Sequence, residues 1–252
     1  MRVATFILSL LILSACNKKK FFDGPNSYVD DFESYTSFDE LTAGDDLNWS
    51  FTQITREANT IVLSTEQAHS GTNSIKFNAD SGADGDASKA SLVKQKMAFY
   101  DGETVRASIW YYIEGTQTLD WLFLLDIEEQ TAIGAGPGMR VANIGSANNA
   151  IVEFKYPEPV IYQETSSLPR DQWFELTLET KLSQKKKGWV KLYQDGQLIL
   201  EKKAIKTLPK DILYQNQGTK GMYTSIEIGI TANSRDNASV VYADDFSIKV
   251  ID

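Results

Sequence analysis

Two carboxylates, Asp126 and Glu128, lie two residues apart in a segment whose pattern predicts a β-strand. Side chains at this spacing share one face of a strand and stand roughly 7 Å apart. That separation suits a pair of acids acting on a glycosidic bond. Glu153 and Glu227 are further acids at outward positions of predicted strands. The chain holds 34 acidic residues, which supply such pairs by chance, so the spacing alone does not favour a hydrolase.

Aromatic and cationic side chains offer a second kind of chemistry, the binding of sugars. If Val105 faces the core, Trp110 and Tyr112 on the same strand face outward, where their rings could stack on the apolar faces of sugar rings. Tyr223 and Arg140 could join them, because a guanidinium donates hydrogen bonds to hydroxyl or carboxylate oxygens. We therefore predict a carbohydrate-binding surface made of Trp110, Tyr112, Arg140 and Tyr223.

The single histidine, His69, lies in a turn-rich segment spanning residues 68–73. Serine-histidine-aspartate chemistry would depend on this one side chain, and no nucleophile elbow surrounds it. We expect His69 to be a surface turn residue and not a catalytic one.

The elements that would position these groups are short strands set off by turn residues. Residues 104–113 and 173–178 alternate apolar and polar side chains, as half-buried strands do. Asp195-Gly196 between two alternating runs predicts a hairpin with a type I′ turn. Further strands are expected at 60–65, 74–78, 119–127, 139–144, 150–156, 188–193 and 222–231, and brief helices only at 128–133 and 209–215. In 119–127, Trp121, Phe123, Leu125 and Ile127 form the expected core face. This pattern predicts an all-β fold, a two-sheet antiparallel β-sandwich.

The pattern of the N-terminal residues indicates an export signal. A short apolar segment follows Arg2, and the motif Leu-Ser-Ala-Cys ends at Cys16, the only cysteine. This motif resembles the lipobox of bacterial lipoproteins, which implies a lipid on Cys16. We predict a signal peptide at 1–15, a lipidated tether at 16–27 and one β-sandwich domain at 28–252. Asn17 implies, by analogy with enterobacterial sorting, a lipid anchor in the bacterial outer membrane, with the periplasmic or surface-facing leaflet undecided.

Charge narrows the range of partners. The formal net charge is −9, and a nucleic-acid partner would require a basic footprint, so nucleic acid is discounted. An acidic polysaccharide remains open, because a basic groove can lie on an acidic protein. The acidic patterns at 28–35 and 242–250 share a doubled Asp before Phe, which indicates that the first and last strands are neighbours.

Several segments carry a family likeness. Residues 173–176, 188–196, 220–223 and 242–246 resemble the second half of the concanavalin A-like jelly rolls, and within them the heparin lyase I, alginate lyase and glucuronan lyase type. The first half, with residues 30–33 and 70–77, is also similar to carbohydrate-binding modules of the family 4 kind. The resemblance covers most of the mature chain and implies the jelly-roll fold.

The resemblance also implies site residues. The similar binding modules hold a structural Ca²⁺ between the two chain ends. The corresponding ligands here would be Asp31 or Glu33, Asn73 or its neighbours through backbone oxygen, and Asp245. The similar lyases neutralise a uronate with Arg, Gln or Asn and move protons with His or Tyr. Matched to this sequence, a lyase set would be Tyr112, Tyr223, Arg106 and Arg140. The Gln-x-His and Arg-x-Glu-x-Arg motifs of those lyases are absent.

Three functions follow as expectations. The first is an outer-membrane lipoprotein that binds a glycan or a cell-envelope partner without turnover. The alternatives are a polysaccharide lyase that cleaves a uronate-containing polymer by β-elimination, and a structural subunit of an envelope protein complex.

Overall fold

The computed structural model of the protein describes residues 24–44, 47–82, 87–131, 134–145, 147–155, 159–208, 222–233 and 235–252. Residues 1–23, with Cys16, lie outside this part of the chain, so the signal peptide and the lipidated tether stay predictions. Among the described residues, no helix has both the length and the apolar character needed to span a membrane.

The described residues form strands and one short 3₁₀ helix, which spans Phe38–Thr42. Numbered along the chain, the strands are β1 (Ser27–Asp30), β2 (Phe51–Ile54), β3 (Thr60–Ser64), β4 (Ser74–Ala79), β5 (Ser88–Lys94), β6 (Phe99–Tyr100), β7 (Thr104–Ile113), β8 (Trp121–Thr131), β9 (Gly134–Ile144), β10 (Asn149–Phe154), β11 (Val160–Ser167), β12 (Trp173–Lys181), β13 (Gly188–Gln194), β14 (Gln197–Ile205), β15 (Met222–Tyr223), β16 (Ser225–Asn233) and β17 (Ser239–Val250). The predicted all-β sandwich is confirmed.

Two antiparallel sheets form the layers of the sandwich. The eight-stranded sheet has the order β14-β13-β12-β7-β17-β4-β3, with β1 paired to β17. The seven-stranded sheet has the order β11-β10-β9-β8-β16-β5-β2, and β6 pairs with β15 in a small ribbon. Sequence neighbours pair in several places, but β7 joins β12 and β17, and β8 joins β16, as in a jelly roll rather than a simple meander.

The core lies between the inner faces of the two sheets. On β7, Val105, Ala107, Ile109, Tyr111 and Ile113 are buried, while the alternate positions face outward. Complete burial of one such large apolar side chain contributes roughly 1.5–3 kcal/mol. The strict alternation on β7 therefore fixes which side chains reach the outer face.

The predicted hairpin between β13 and β14 is confirmed. Asp195 and Gly196 have φ values of 50° and 75°, the positive values that a type I′ turn requires at both central positions. Gln194 and Gln197 are paired directly before and after the turn.

The first and last strands are neighbours, as the acidic patterns indicated. Antiparallel β1 pairs with β17 from Ser27 opposite Lys249 to Asp30 opposite Phe246. The Asp30 carboxylate is buried and accepts hydrogen bonds from Trp49 Nε1 at 2.8 Å, from Tyr35 Oη at 2.7 Å and from the backbone N–H of Phe32 at 2.9 Å. A buried carboxylate surrounded by donors ties the first strand to the core.

Strand β8 differs from its prediction in two ways. Residues 128–131 continue the strand and pair with β9, so the prediction of a brief helix at 128–133 is wrong for these four residues. The helix predicted at 209–215 lies outside the described residues. The ladder to β9 also shifts register between Phe123 and Leu125. This bulge breaks the expected alternation, because Leu125 and Ile127 join the main core, whereas Trp121 and Phe123 pack in a separate apolar cluster.

Strand β16 contains a larger irregularity opposite this bulge. Ile228 pairs with Leu125, but Ala232 pairs with Phe123, so β16 has extra residues at this point. Gly229 has a φ of 101° here. The hydroxyl of Tyr111, from the opposite sheet, donates to the Leu124 carbonyl at 2.6 Å and accepts from the Gly229 N–H at 3.4 Å. A core side chain thus satisfies backbone groups that the irregular ladder leaves open.

Candidate functional site

Seven charged side chains lie together on the outer face of the seven-stranded sheet. We call them the charged row, and they are Lys89, Asp126, Glu128, Arg140, Glu153, Lys155 and Glu227. The sheet register aligns them, since Glu153 is opposite Arg140, Arg140 is opposite Asp126, and Asp126 is opposite Glu227. Directly opposite side chains on antiparallel strands are in contact range. The four acids singled out in the sequence therefore converge.

Each cation in the charged row is paired with an acid. Arg140 Nε donates to Glu153 Oε2 at 2.5 Å, and the guanidinium lies 3.8 Å from the centre of the Phe123 ring. Lys155 Nζ lies 3.4 Å from Asp126 Oδ2 and forms an ion pair with Glu128 Oε2. These contacts hold Arg140 and Lys155 in fixed positions.

Lys89 forms the third pair, with its Nζ 3.5 Å from Glu227 Oε1 and 3.1 Å from Gln53 Oε1. The cations are the more accessible partners throughout. The side chains of Lys155, Lys89 and Arg140 are 16, 20 and 25% exposed, whereas those of the four acids are 1–8% exposed. The cations are therefore the groups of the row nearest to solvent, above a layer of buried acids, and an anionic ligand would meet them first.

Burial changes the protonation of this layer. It raises the pKa of Glu227 to about 7, and it raises the pKa of Glu128 despite the attraction of Lys155. Burial lowers the pKa of Lys155, but the combined attraction of the Asp126 and Glu128 carboxylates is the larger effect. The pKa of Lys155 is therefore raised, and the ammonium stays charged. Glu128 Oε1 and Glu227 Oε2 have no hydrogen-bond partner among the described residues. Glu227 can thus exchange a proton near neutral pH, beside a second carboxyl of raised pKa and a fixed ammonium.

An apolar pocket adjoins the charged row on the same face. Its volume is about 330 Å³, and it is lined by Ala87, Trp121, Phe123, Arg140, Ile144, Ile151, Ile161, Ala232 and Arg235. Arg140 belongs to both features and therefore marks the boundary between the charged row and the apolar pocket.

The four predicted sugar-binding residues are not brought together. Trp110 and Tyr112 lie on the outer face of the eight-stranded sheet. There the Trp110 ring stacks on the His69 ring with 3.5 Å between ring centroids, and the Tyr112 ring packs edge-on against the Trp173 ring with 5.8 Å between ring centroids. Arg140 lies on the outer face of the other sheet. The prediction of one common surface is wrong, because β7 and β9 belong to different layers.

The predicted lyase set is divided in the same way. Arg106 lies on the same outer face of the eight-stranded sheet as Trp110, four residues away on β7, and pairs with Glu179 at 2.6 Å. Tyr223 is buried, with 1% of its surface exposed, and donates to the Thr207 carbonyl at 2.7 Å. Burial also raises the pKa of the Tyr223 hydroxyl. Of the four residues, only Arg140 lies in the charged row.

The residues expected to bind Ca²⁺ make hydrogen bonds within the protein. Glu33 Oε1 accepts from the N–H groups of Thr72 and Asn73 at 2.9 and 2.7 Å, Asp31 accepts from the Glu33 N–H at 3.1 Å, and Asp245 binds His69 Nδ1 at 2.7 Å. Within the described ranges, no three His, Cys, Asp or Glu side chains are grouped to hold a metal. The calcium site, which would also need oxygen from Asn73 or its neighbours, stays a prediction. His69 lies in a bend, as expected, but it is half-buried against Trp110.

Sequence reasoning missed the two lysines of the charged row and the apolar pocket. Lys155 directly follows the apolar-rich segment 150–154, and its partners Asp126 and Glu128 are far from it in sequence. A pairing of this kind depends on strand order, which alternation does not reveal.

Comparison with known proteins adds a family likeness. Residues 138–247, which include Arg140, Glu153, Lys155 and Glu227, match the family model described as Polysaccharide lyase. No curated protein sequence matches the chain significantly.

Solved structures share the fold at low sequence identity. The endo-β-1,4-glucuronan lyase from the fungus Trichoderma reesei has a TM-score of 0.66 at 12% identity, over 81% of this chain and 91% of that one. An alginate lyase has a TM-score of 0.57 at 11% identity, over 90% and 98%. The marine alginate lyase from Aplysia kurodai has a TM-score of 0.51 at 13% identity, over 76% and 87%. The chain thus has the jelly-roll fold of these enzymes and, over residues 138–247, resembles the polysaccharide lyase family.

Proposed function

We propose that the protein is a polysaccharide lyase that cleaves a uronate-containing polymer at the charged row. The observation that carries this proposal is the position of Arg140 and Lys155, two fixed cations on the outer face above carboxyl groups of raised pKa. The family match over residues 138–247 supports a lyase more than binding without turnover.

The reaction requires three coordinated events. A base takes the proton from C5 of the uronate, the electron pair forms the C4=C5 double bond, and the bond from C4 to the glycosidic oxygen breaks. The departing oxygen takes a proton from an acid. Removal of the C5 proton places negative charge on the uronate carboxylate, so a fixed cation beside that group lowers the barrier.

Arg140 is suited to bind the carboxylate. Its Nε is used by Glu153, which leaves the two terminal nitrogens for a bidentate contact with the substrate. Lys155, charged and partly exposed, would donate the proton to the departing oxygen. The base would be Glu227 or Glu128, since burial raises the pKa of each. Each has one buried oxygen without a partner among the described residues, and substrate binding would have to expose that oxygen for it to take the proton.

The chain offers a matched pair of variants to test this assignment. Arg140 and Arg106 each form one ion pair with a glutamate, but on opposite outer faces. We expect Arg140→Ala to lower kcat/KM by about 100-fold or more, as loss of one charge-stabilising donor does. Arg106→Ala is expected to retain the wild-type rate. The measurement is the ultraviolet absorbance of the unsaturated uronate product, with alginate, glucuronan and heparin as substrates.

Equal loss in both variants, at equal folded content, would contradict a site at the charged row. No absorbance change on any of these polymers, nor on O-acetylated glucuronan and a polymer of alternating rhamnose and glucuronic acid, would remove the lyase proposal. Affinity electrophoresis on the same polymers would then separate glycan binding without turnover from a structural role in an envelope complex.

The cellular location is a separate proposal. A lipid on Cys16 would hold the domain at the bacterial outer membrane through a short tether. Metabolic labelling with radioactive palmitate would mark the wild-type protein and not Cys16→Ser, and protease treatment of intact cells would identify the leaflet.

A further inference from the structure

The apolar pocket beside Arg140 has an unusual lining for a site that takes a polar polymer. Its walls include Trp121, Phe123 and Ile151, and its cationic groups are Arg140 and Arg235. Phe123, Ile151 and Ala232 form one apolar cluster with the partly buried Trp121. A sugar hydroxyl pressed against these walls would lose hydrogen bonds to water without replacement, which disfavours a polar occupant.

The position of the apolar pocket relates it to the charged row. Along β9, Ala142 lies two residues from Arg140 on the same face and is opposite Phe123 and Ile151 on the adjoining strands. Two residues along a strand span roughly 7 Å. The pocket therefore lies beside the expected uronate position and within reach of a directly linked sugar.

Size limits the occupant further. A volume of about 330 Å³ lies at the low end of small-molecule sites and suits one ring with its substituents. Since Ile151 and Ile161 contribute aliphatic surface in addition to the aromatic rings, the complementary group is a methyl and not only the face of a sugar ring.

We propose that the apolar pocket binds a methyl-bearing sugar, either a 6-deoxyhexose or an O-acetylated residue, linked directly to the uronate held by Arg140. This inference rests on the proposed lyase function and narrows the substrate to polymers with such a group next to the cleaved bond. Arg235, exposed at the same pocket, places a second positive charge near the anionic chain.

The first test compares substrates. The probes are O-acetylated glucuronan, the same polymer after deacetylation, and an unsulfated polymer of alternating rhamnose and glucuronic acid. We expect the wild-type protein to cleave at least one methyl-bearing polymer with a kcat/KM about tenfold or more above that of deacetylated glucuronan, the range for one added carbon in an apolar pocket. Preference for the acetylated polymer or for the rhamnose polymer identifies the source of the methyl group. No preference for either would overturn the proposal.

Two neighbouring residues on β11 provide matched variants. Ile161 lines the pocket and is 48% exposed, and Val160 lies outside it and is 44% exposed. Ile161→Ser should reduce the preference for the methyl-bearing polymer at least threefold, while Val160→Ser leaves it unchanged. Ala232→Leu, which fills the pocket, should abolish the preference. Persistence of the preference in folded Ala232→Leu protein would also overturn the proposal.

A binding measurement separates this inference from the lyase proposal. Titration calorimetry with oligosaccharides from the three polymers needs no turnover. Tighter binding of methyl-bearing oligosaccharides that is lost in Ala232→Leu, without any cleavage, would support the pocket and reject the lyase. Cleavage without such a difference in binding or rate would support the lyase and reject the pocket.

Discussion

Replacement of Glu227 by Gln should stabilise the protein at neutral and alkaline pH while it removes a proton-exchanging group. Glu227 is buried on β16, and burial raises its pKa from 4.5 to about 7. A carboxyl whose pKa is higher in the folded than in the unfolded protein contributes its full stabilisation at pH values below the unfolded-state pKa. That contribution is lost as pH rises through about 7, because the buried group must then ionise.

The size of the effect follows from the pKa and from the neighbours. A rise from 4.5 to about 7 corresponds to roughly 3 kcal/mol lost at high pH. The amide avoids this loss and can still accept the Ser91 hydroxyl, but Lys89 loses its ionic partner. We therefore expect Glu227→Gln to gain about 2 kcal/mol at pH 8, which for a domain of this size raises Tm by about 4–8 °C.

The assay is thermal unfolding of both proteins between pH 4 and pH 9. The difference in Tm should be small near pH 4, where the carboxyl is neutral in the folded and the unfolded protein, grow between pH 4.5 and about 7, and level off at higher pH. Glu57→Gln, at an exposed position, is the control and should show no pH-dependent change. A constant difference at every pH, or destabilisation at pH 8, would refute the reasoning. If Glu227 is the base, the variant also loses cleavage, so stability and activity change in opposite directions.

Two further substitutions test the fold. Gly229→Ala places a Cβ 2.5 Å from the Phe77 ring at a φ of 101°, whereas a Cβ at Gly102, with a φ of 100°, meets nothing within 4 Å. Urea denaturation should show Gly229→Ala to be less stable than Gly102→Ala by about 2 kcal/mol, the cost of overpacking. Equal losses in the two variants would contradict the overlap with Phe77. Asp30→Asn replaces one accepting carboxylate oxygen by an NH2 group, a donor that would then face a donor, either Trp49 Nε1 or the Phe32 N–H. We therefore expect a loss of roughly 1–3 kcal/mol by the same measurement, and a loss below about 0.5 kcal/mol would mean that the network is dispensable.

Much of the fold could be predicted because strand alternation and turn chemistry are local. The alternation of β7 and the Asp195-Gly196 turn occur in the structure as predicted. The bulge at Phe123 could not be predicted, because it compensates for an irregular partner strand that is distant in sequence. The misassignment of Trp121 to the core face has the same cause.

The candidate site was predictable only in part. Alternation correctly placed Asp126, Glu128 and Arg140 on outer faces, but it does not report which sheet a strand joins. Trp110 and Arg140 were therefore combined although they lie on opposite outer faces. Tyr223 is grouped with them because the sequence predicts one strand at 222–231, whereas the structure separates the two-residue strand Met222–Tyr223 from β16, and alternation over two residues does not show which side is buried.

The hydroxyl of Tyr111 has a consequence for the motions of the sandwich. It belongs to one sheet but bonds the Gly229 amide and the Leu124 carbonyl of the other. Release of that amide to solvent therefore requires the two layers to separate, and not merely the end of a strand to fray. In native-state hydrogen exchange, Gly229 should exchange only with global unfolding, in spite of its irregular backbone. An irregular segment beneath the charged row would thus be among the slowest to open.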